Sequence, residues 1–300
     1  MLLERAVPLL YIRILAYWYK HQNLFVKWGN CISTSFSVKN GVRQGSVLSP
    51  YLFCVYVDKI STRLNKAKIG CNIRNMLLNH LFYADDLCIF CPSSRGLQKL
   101  LNICFSAGSD LNIIFNQKKC KIMVFKSQSY RSCPVPTFNI GGYNLKICTS
   151  YKYLGHMITD SQSDSEDILR QCRSVYAKGN TLVRTFYKCS DAVKTTLFRA
   201  HCSSMYTAEL WCNYPQYALR KLAVAYHSIF KKLLNYPRST SNSMLFVYYS
   251  IPTFQEILRK RVFSFRKRLL ASENAMIKNI LSHEQSPQSS LFSRWDALLY

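Results

Sequence analysis

Apolar positions in the first half of this chain alternate between helical and strand-like spacing. Leu9, Ile12, Tyr17 and Trp18 recur near every third or fourth position and predict a helix over residues 9–19. Leu24 to Trp28 and Cys31 to Val38 flank Gly29-Asn30, a turn dipeptide, and predict a hairpin. Phe53, Tyr56, Val57, Ile60 and Leu64 mark the buried face of a second helix, with Ser49 as its N-cap and Pro50 at its first position. Leu81 to Phe90 reads as two apolar strands around a bend. Leu81 and Tyr83 face the same way as Leu87 and Ile89, and the bend lifts Asp85 and Asp86 into solvent. A helix over Leu97 to Asn112 follows, with Leu97, Leu100, Leu101, Cys104 and Phe105 inward, and then an alternating strand from Lys121 to Phe125. Residues 127–137 read as a loop, Phe138 to Tyr143 as a short hairpin, and Tyr151 to Ile158 as a strand pair pivoting on Gly155.

The pattern then changes. Asp160 to Ser165 is a polar linker, and Ser163-x-x-Glu166 has the spacing of a capping box opening a new helix. Beyond it strand-like alternation thins out. Leu219, Leu222, Tyr226, Ile229, Phe230 and Leu233 form one apolar stripe, stopped by Asn235-Tyr236-Pro237. Phe254, Ile257, Leu258 and Val262 begin another, which carries Arg259-Lys260-Arg261 and Arg266-Lys267-Arg268. The expected fold class is therefore α+β, with an α+β part over residues 1–162 and an all-helical part over residues 163–300.

Charge narrows the partners. Forty Lys and Arg stand against fifteen acids, a formal net charge of +25. That field points to a polyanion, and 14% aromatic residues favour nucleic acid, since rings stack on bases while cations follow phosphates. The two basic triplets could be a solvated face or a nuclear-localisation patch, but on so cationic a chain phosphate contact is the preferred reading. Thirteen Cys without regular spacing fit a reducing compartment better than a disulfide framework. Cys88-x-x-Cys91 lacks the second Cys or His pair that a zinc site needs. Glu4, Arg5, Pro8 and Arg13 interrupt the apolar start, so the reading is of no signal peptide and no membrane span; the 254–271 helix is too evenly mixed for a membrane surface. The expected location is intracellular, in nucleus or cytoplasm.

Three stretches carry candidate chemistry. Asp85 and Asp86 suit a hard cation such as Mg2+, which takes oxygen ligands and few of them from protein; equally, Asp-Asp can be a polar turn. In Asn40-Gly41-Val42-Arg43-Gln44-Gly45-Ser46, the glycines allow close backbone approach to a ligand where Arg43 and Gln44 offer donors. Lys119, at the mouth of a strand, could neutralise or protonate a leaving pyrophosphate, or could simply be a solvated strand end.

In this order, Gly41-Val42-Arg43-Gln44-Gly45-Ser46-Val47-Leu48-Ser49-Pro50, Tyr83-Ala84-Asp85-Asp86, Asn116-x-x-Lys119 and Tyr153-Leu154-Gly155 resemble a reverse transcriptase of the non-LTR (LINE-type) retrotransposons. The resemblance runs on through Ala225-Tyr226-His227 and Tyr236-Pro237-Arg238. It implies a partial right-hand polymerase, a palm with remnant fingers, followed by a thumb-like helical region. Gly41, Arg43, Gln44, Gly45 and Ser46 would contact template and nucleotide. Asp85 and Asp86 would bind metal, with Asp85 the more direct ligand. Lys119 would assist pyrophosphate departure, and Tyr153, Leu154 and Gly155 would form the primer grip. The implied reaction is two-metal nucleotidyl transfer with Mg2+ as cofactor, dNTP as substrate, and an RNA template with a DNA primer, or an RNA–DNA hybrid, as partner.

One element of the family pattern is missing. Its members carry another metal-binding Asp on a palm strand upstream of the Gln-Gly loop, and this chain has no Asp before Asp58. Met1 is expected to fall just downstream of that strand. The expectation is an incomplete polymerase domain with weak metal binding, little activity alone and an unpaired sheet edge beside the carboxylates. The alternative is a non-catalytic nucleic-acid-binding protein derived from a reverse transcriptase.

Overall fold

Pro8 precedes the first helix, α1 (Leu9–Lys20), none of whose residues is buried. In this computed structural model, which describes residues 1–38, 41–126, 134–284 and 290–299, two compact units form: residues 1–120 with 136–145, and residues 121–135 with 146–300. The units do not coincide with the break in composition near residue 162. Asn40 and most of the expected 127–137 loop lie outside the described residues.

In the first unit, β1 (Asn23–Leu24) pairs with β4 (Phe36–Ser37) and β2 (Lys27–Trp28) with β3 (Cys31–Ile32). The turn is Gly29-Asn30 as expected, with Gly29 at φ +58°. Helix α2 (Ser49–Lys66) buries Val57, Ile60 and Leu64, the last two against Leu100, Cys104 and Ala107 of α3 (Ser94–Asp110). Each such aliphatic side chain contributes about 1.5–3 kcal/mol on burial, so this small core rests on a few residues. Tyr56 and Phe105, expected inward, are each 40% exposed. Tyr56 uses its hydroxyl to reach the Leu111 carbonyl, and the Phe105 ring sits where a Cβ on Gly141 would be. β5 (Cys71–Ile73) pairs with β6 (Met76–Leu78), and β7 (His80–Tyr83) with β8 (Asp86–Ile89).

In the second unit, the expected strand after Lys119 shortens to β9 (Lys121–Ile122). β10 (Asn139–Ile140) and β11 (Tyr143–Asn144) close the expected hairpin through Gly141-Gly142 within the first unit; β12 (Lys146–Ile147) then runs parallel to β9. β13 (Ser150–Tyr153) and β14 (His156–Thr159) form the second four-residue hairpin.

Helices α4 (Ser165–Thr185), α5 (Asp191–Cys202), α6 (Gln216–Leu233), α7 (Asn242–Tyr248) and α8 (Phe254–Leu270) share one core, in which Phe198, Leu222, Ala225, Tyr226 and Phe230 are wholly buried. The expected stripe on α6 is therefore its core face. Gly179 lets α4 approach α6, since a Cβ there would lie 2.1 Å from Ile229. α9 (Ala275–Glu284) follows, and α10 (Ser290–Leu299) packs Trp295 and Leu298 on Val262 of α8.

Capping differs from expectation at two helices and appears at a third. Ser163 does not cap α4: its hydroxyl bonds to Ser165, and Asp164 occupies the cap position. Ser49 lies inside α2 rather than at its cap. A complete capping box instead opens α8, where Thr253 and Glu256 exchange hydrogen bonds.

Candidate functional site

The carboxylate hairpin follows from its register. Tyr83 pairs with Asp86 and Phe82 with Leu87, so only Ala84 and Asp85 form the turn, with Ala84 at φ +51°. Asp85 is thus at the apex, but Asp86 is the first residue of β8 rather than part of the bend. A two-residue turn also reverses the expected faces. Residues directly opposite share a side, so His80, Phe82, Leu87 and Ile89 make one face, while Leu81, Tyr83, Asp86 and Cys88 make the other. The first face packs on the α2–α3 core through Phe82, Leu87 and Ile89. His80 fixes it further: its Nε2 lies 2.7 Å from the Ser61 hydroxyl and its Nδ1 2.7 Å from Asn79, and burial lowers its pKa.

Tyr83, Asp85 and Asp86 remain exposed. Among the described residues, β7 and β8 form a two-stranded sheet with no third strand. No cluster of three or more His, Cys, Asp or Glu side chains suited to a metal occurs among the described residues. Asp58, on α2, is ion-paired with Arg5 at 2.5 Å. The two hairpin acids therefore have the donor chemistry for a hard cation, which takes one or two carboxylates and completes its shell with water or phosphate oxygens.

The glycine loop is fastened at both ends. Gly41 and Gly45 adopt φ +89° and +82°, conformations open to glycine. Ser49, freed from capping, donates its hydroxyl to the Arg43 carbonyl at 2.6 Å, and Ser46 N–H reaches the same carbonyl at 3.2 Å. The Arg43 guanidinium lies 5.2 Å from the Trp18 ring centre, a cation–π contact that gives α1 a role in orienting the loop. Gln44 is exposed beside it. Lys119 is exposed on a turn closed by Asn116, whose carbonyl accepts the Lys119 N–H at 3.0 Å.

The second hairpin is held quite differently. Tyr153 pairs with His156, leaving Leu154 and Gly155 as a turn with φ +45° and +85°. Tyr206 donates its hydroxyl to the Leu154 carbonyl at 3.1 Å, and its ring occupies the place of a Cβ on Gly155. Below it lies a buried carboxylate that the sequence analysis did not single out. Asp167 is 0% exposed. Its Oδ1 accepts Met157 N–H at 3.1 Å and Arg170 Nε at 2.8 Å; its Oδ2 accepts Trp211 Nε1 at 2.8 Å and lies 3.0 Å from Thr207 Oγ1 and 3.2 Å from His156 Nδ1. Burial alone would push this carboxyl up; hydrogen bonds from His156, Trp211, Met157 and Arg170 outweigh it and hold the pKa well below the usual range.

Asp164 completes the knot. Its Oδ2 accepts the Cys212 and Asn213 N–H groups at 2.8 Å each, and its Oδ1 lies 3.7 Å from His156 Nε2. Gln171 donates to the Tyr206 carbonyl at 2.7 Å. One available signal was two acids three apart, Asp164 and Asp167, in a chain with only fifteen; Asp164 fell within the stretch read as polar linker.

Comparison with known proteins supplies the family. Residues 7–158 match the family model described as reverse transcriptase (RNA-dependent DNA polymerase), and the chain belongs to that family. It is 33% identical, over 41% of its length, to the Retrovirus-related Pol polyprotein from type-2 retrotransposable element R2DM of Drosophila melanogaster, covering 12% of that protein. Over 96% of its length it is 23% identical to the RNA-directed DNA polymerase from mobile element jockey of Drosophila funebris, covering 32% of it. Over 66% it is 26% identical to the probable RNA-directed DNA polymerase from transposon X-element of Drosophila melanogaster, covering 22%. The chain thus spans a third or less of these relatives. Among the described residues no helix is long and apolar enough to cross a membrane.

Proposed function

We propose that this member of the reverse transcriptase family is the palm and thumb portion of a retrotransposon RNA-directed DNA polymerase, and that it does not polymerise by itself. The reading assigns residues 1–162 to an incomplete palm with remnant fingers and residues 163–300 to the thumb and a basic C-terminal region. Asp85 and Asp86 hold Mg2+, with Asp85 the primary ligand. When bound, Mg2+ supplies Lewis acidity to the primer hydroxyl and the nucleotide phosphates. Gly41, Arg43, Gln44, Gly45 and Ser46 line the place of template and incoming dNTP, with Arg43 steadied by Trp18. Lys119 neutralises charge on departing pyrophosphate. Tyr153, Leu154 and Gly155 support the primer end of an RNA–DNA hybrid.

The observation that carries the proposal is the β7–β8 hairpin itself, with an apolar face seated on the core and two adjacent exposed acids, Asp85 at the apex and Asp86 opening β8. The claim of inactivity is supported by what surrounds the hairpin: among the described residues it has no third strand and the two carboxylates have no third ligand to bridge a pair of ions, and misplacing a reacting group by about 1 Å can cost roughly a hundredfold in rate. The test is primer extension by the purified chain on an RNA template with Mg2+ and dNTPs. We expect no incorporation; extension that disappears in Asp85→Ala overturns the claim. The second reading, a non-catalytic nucleic-acid-binding protein, is favoured by the same shortage of ligands and predicts retained hybrid binding without Mg2+-dependent incorporation.

A further inference from the structure

The two basic triplets of α8 separate, in the structure, into cations that hold the helix in place and cations that face a groove. Arg259 Nε donates to the Leu298 carbonyl at 3.0 Å, and Arg266 Nη1 to Asp296 at 2.7 Å, so both fasten α10. Arg261 donates to the Ser204 carbonyl and lies 3.9 Å from Glu209. Lys260 and Arg268 line, together with Arg261, a groove of about 830 Å³, which is bounded by residues of α5, α7 and α8 and floored by Val247, Ile251, Pro252 and Ile257; Arg268 spends only its Nε, on the Ser264 carbonyl at 3.4 Å. Arg199 stands on its other wall, tied to the Ser250 carbonyl by one nitrogen and keeping its remaining donors. Of the two groove carboxylates, Glu256 is engaged in the capping box and Glu209 faces Arg261 at 3.9 Å with its Oε2 unpartnered; against these two acids the groove sets four cations, Arg199, Lys260, Arg261 and Arg268, so its net charge is positive.

Lys260, Ser264 and Arg268 are four residues apart along one helix face, and the two cations are about 12 Å apart along the axis. That row suits a chain carrying a negative charge at every unit. A groove of this volume is the size of a small-ligand site, too small for a duplex but open to one strand whose sugars and base faces rest on the apolar floor. We propose that the α5–α7–α8 groove binds a single nucleic-acid strand through its phosphates, with Lys260, Arg268 and Arg199 as the contacts. The site is built wholly from the helical unit and requires neither Asp85 nor Asp86.

The test is anisotropy titration of the full chain with labelled single-stranded RNA and, separately, single-stranded DNA of the same sequence over a range of salt. Lys260→Glu/Arg268→Glu should weaken binding by about tenfold or more at low salt and reduce the slope of log affinity against log salt by roughly 1.4, the effect of two lost contacts on a single strand. Lys178→Glu/Arg184→Glu, an equal charge change at exposed positions of α4, should weaken it far less. Arg266→Ala should lower Tm and leave the slope unchanged. If the Glu pair impairs folding, the Lys260→Gln/Arg268→Gln pair takes its place. Equal weakening by the groove and control pairs, or no weakening by the groove pair, overturns the proposal. So does a result in which polyglutamate, and not the oligonucleotide, loses binding in the groove variant. Comparing the RNA and DNA arms identifies which strand the groove takes. Mg2+-dependent primer extension, read separately on the same variants, distinguishes failure of this site from failure of the polymerase reading.

Discussion

The two four-residue hairpins of this chain are built alike and used in opposite ways. Both close through a two-residue turn whose first position is a non-glycine residue in the left-handed region, Ala84 at φ +51° and Leu154 at φ +45°. At the first, the acids are at the tip and exposed, and the packing lies behind them. At the second, the acids come from the neighbouring helix, are buried, and hold the strands from beneath through Met157 and His156, while Tyr206 holds the turn. A carboxylate already satisfied by four or five donors has no lone pairs left for a metal, whereas an exposed one has them all. Carboxylates in one chain therefore divide between chemistry and architecture according to how many protein donors surround them.

The sharpest way to break the comparison is to delete the buried acid. Asp167→Ala leaves Trp211 Nε1, Arg170 and the Met157 N–H without their acceptor and should cost about 3–5 kcal/mol. Urea denaturation measures it. The same group sets an acid limit. Its folded pKa is depressed below an unfolded value of about 3.9, so the unfolded state takes up a proton first as pH falls. The contribution is thus fully present above about pH 4 and is lost on further acidification. Stability measured from pH 7 to pH 3 should fall more steeply at its acid end in the unmodified chain than in Asp167→Ala.

Next in size is Gly155→Ala. The residue holds φ +85°, and a Cβ would lie 2.7 Å from the Tyr206 ring, so both backbone strain and displacement of Tyr206 follow. A loss of about 1–3 kcal/mol is expected, with faster amide exchange over residues 154–157. Tyr206→Phe removes only the bond to the Leu154 carbonyl and should cost about 0.5–1 kcal/mol. A Gly155→Ala cost no larger than that of Tyr206→Phe would mean that the turn is not held from beneath.

What was legible in the sequence follows the same division. Periodicity located both hairpins, the α6 stripe and the α8 face, because those signals depend only on spacing along the chain. It could not give the facing of Leu81 and Leu87, because that depends on whether one, two or three residues form the turn, and Ala84 is not a residue type that announces a tight turn. The Asp167 site was invisible for a related reason. Its donors at positions 156, 157, 170, 207 and 211 converge only after the helices pack, and no local spacing encodes that. The Ser163-x-x-Glu166 signal misled because Asp164 took the cap position; the matching Thr253-x-x-Glu256 box at α8 fulfils the same pattern with nothing competing for it. Ser49 was recognised at the right junction and given the wrong acceptor, because the Arg43 carbonyl comes within reach only once the Gly41–Gly45 loop has folded back.

The smallest expected effect completes the test. Asp85→Asn removes one negative charge from an exposed apex that makes no hydrogen bond or ion pair among the described residues, and surface substitutions away from caps, strain and buried networks rarely change stability. Tm should stay within about 1 °C of the unmodified chain, a shift corresponding to a few tenths of a kcal/mol at this size. The same substitution should weaken Mg2+ binding measured by calorimetry, because it removes the apex oxygen charge from a site with only two carboxylates. Loss of an Asp charge would then strongly destabilise the chain at one hairpin and leave its stability untouched at the other. If Asp85→Asn instead lowered Tm as far as Asp167→Ala does, the apex carboxylate would be a structural partner like Asp167, and the hairpin would lose its claim to be the chemical end of the molecule.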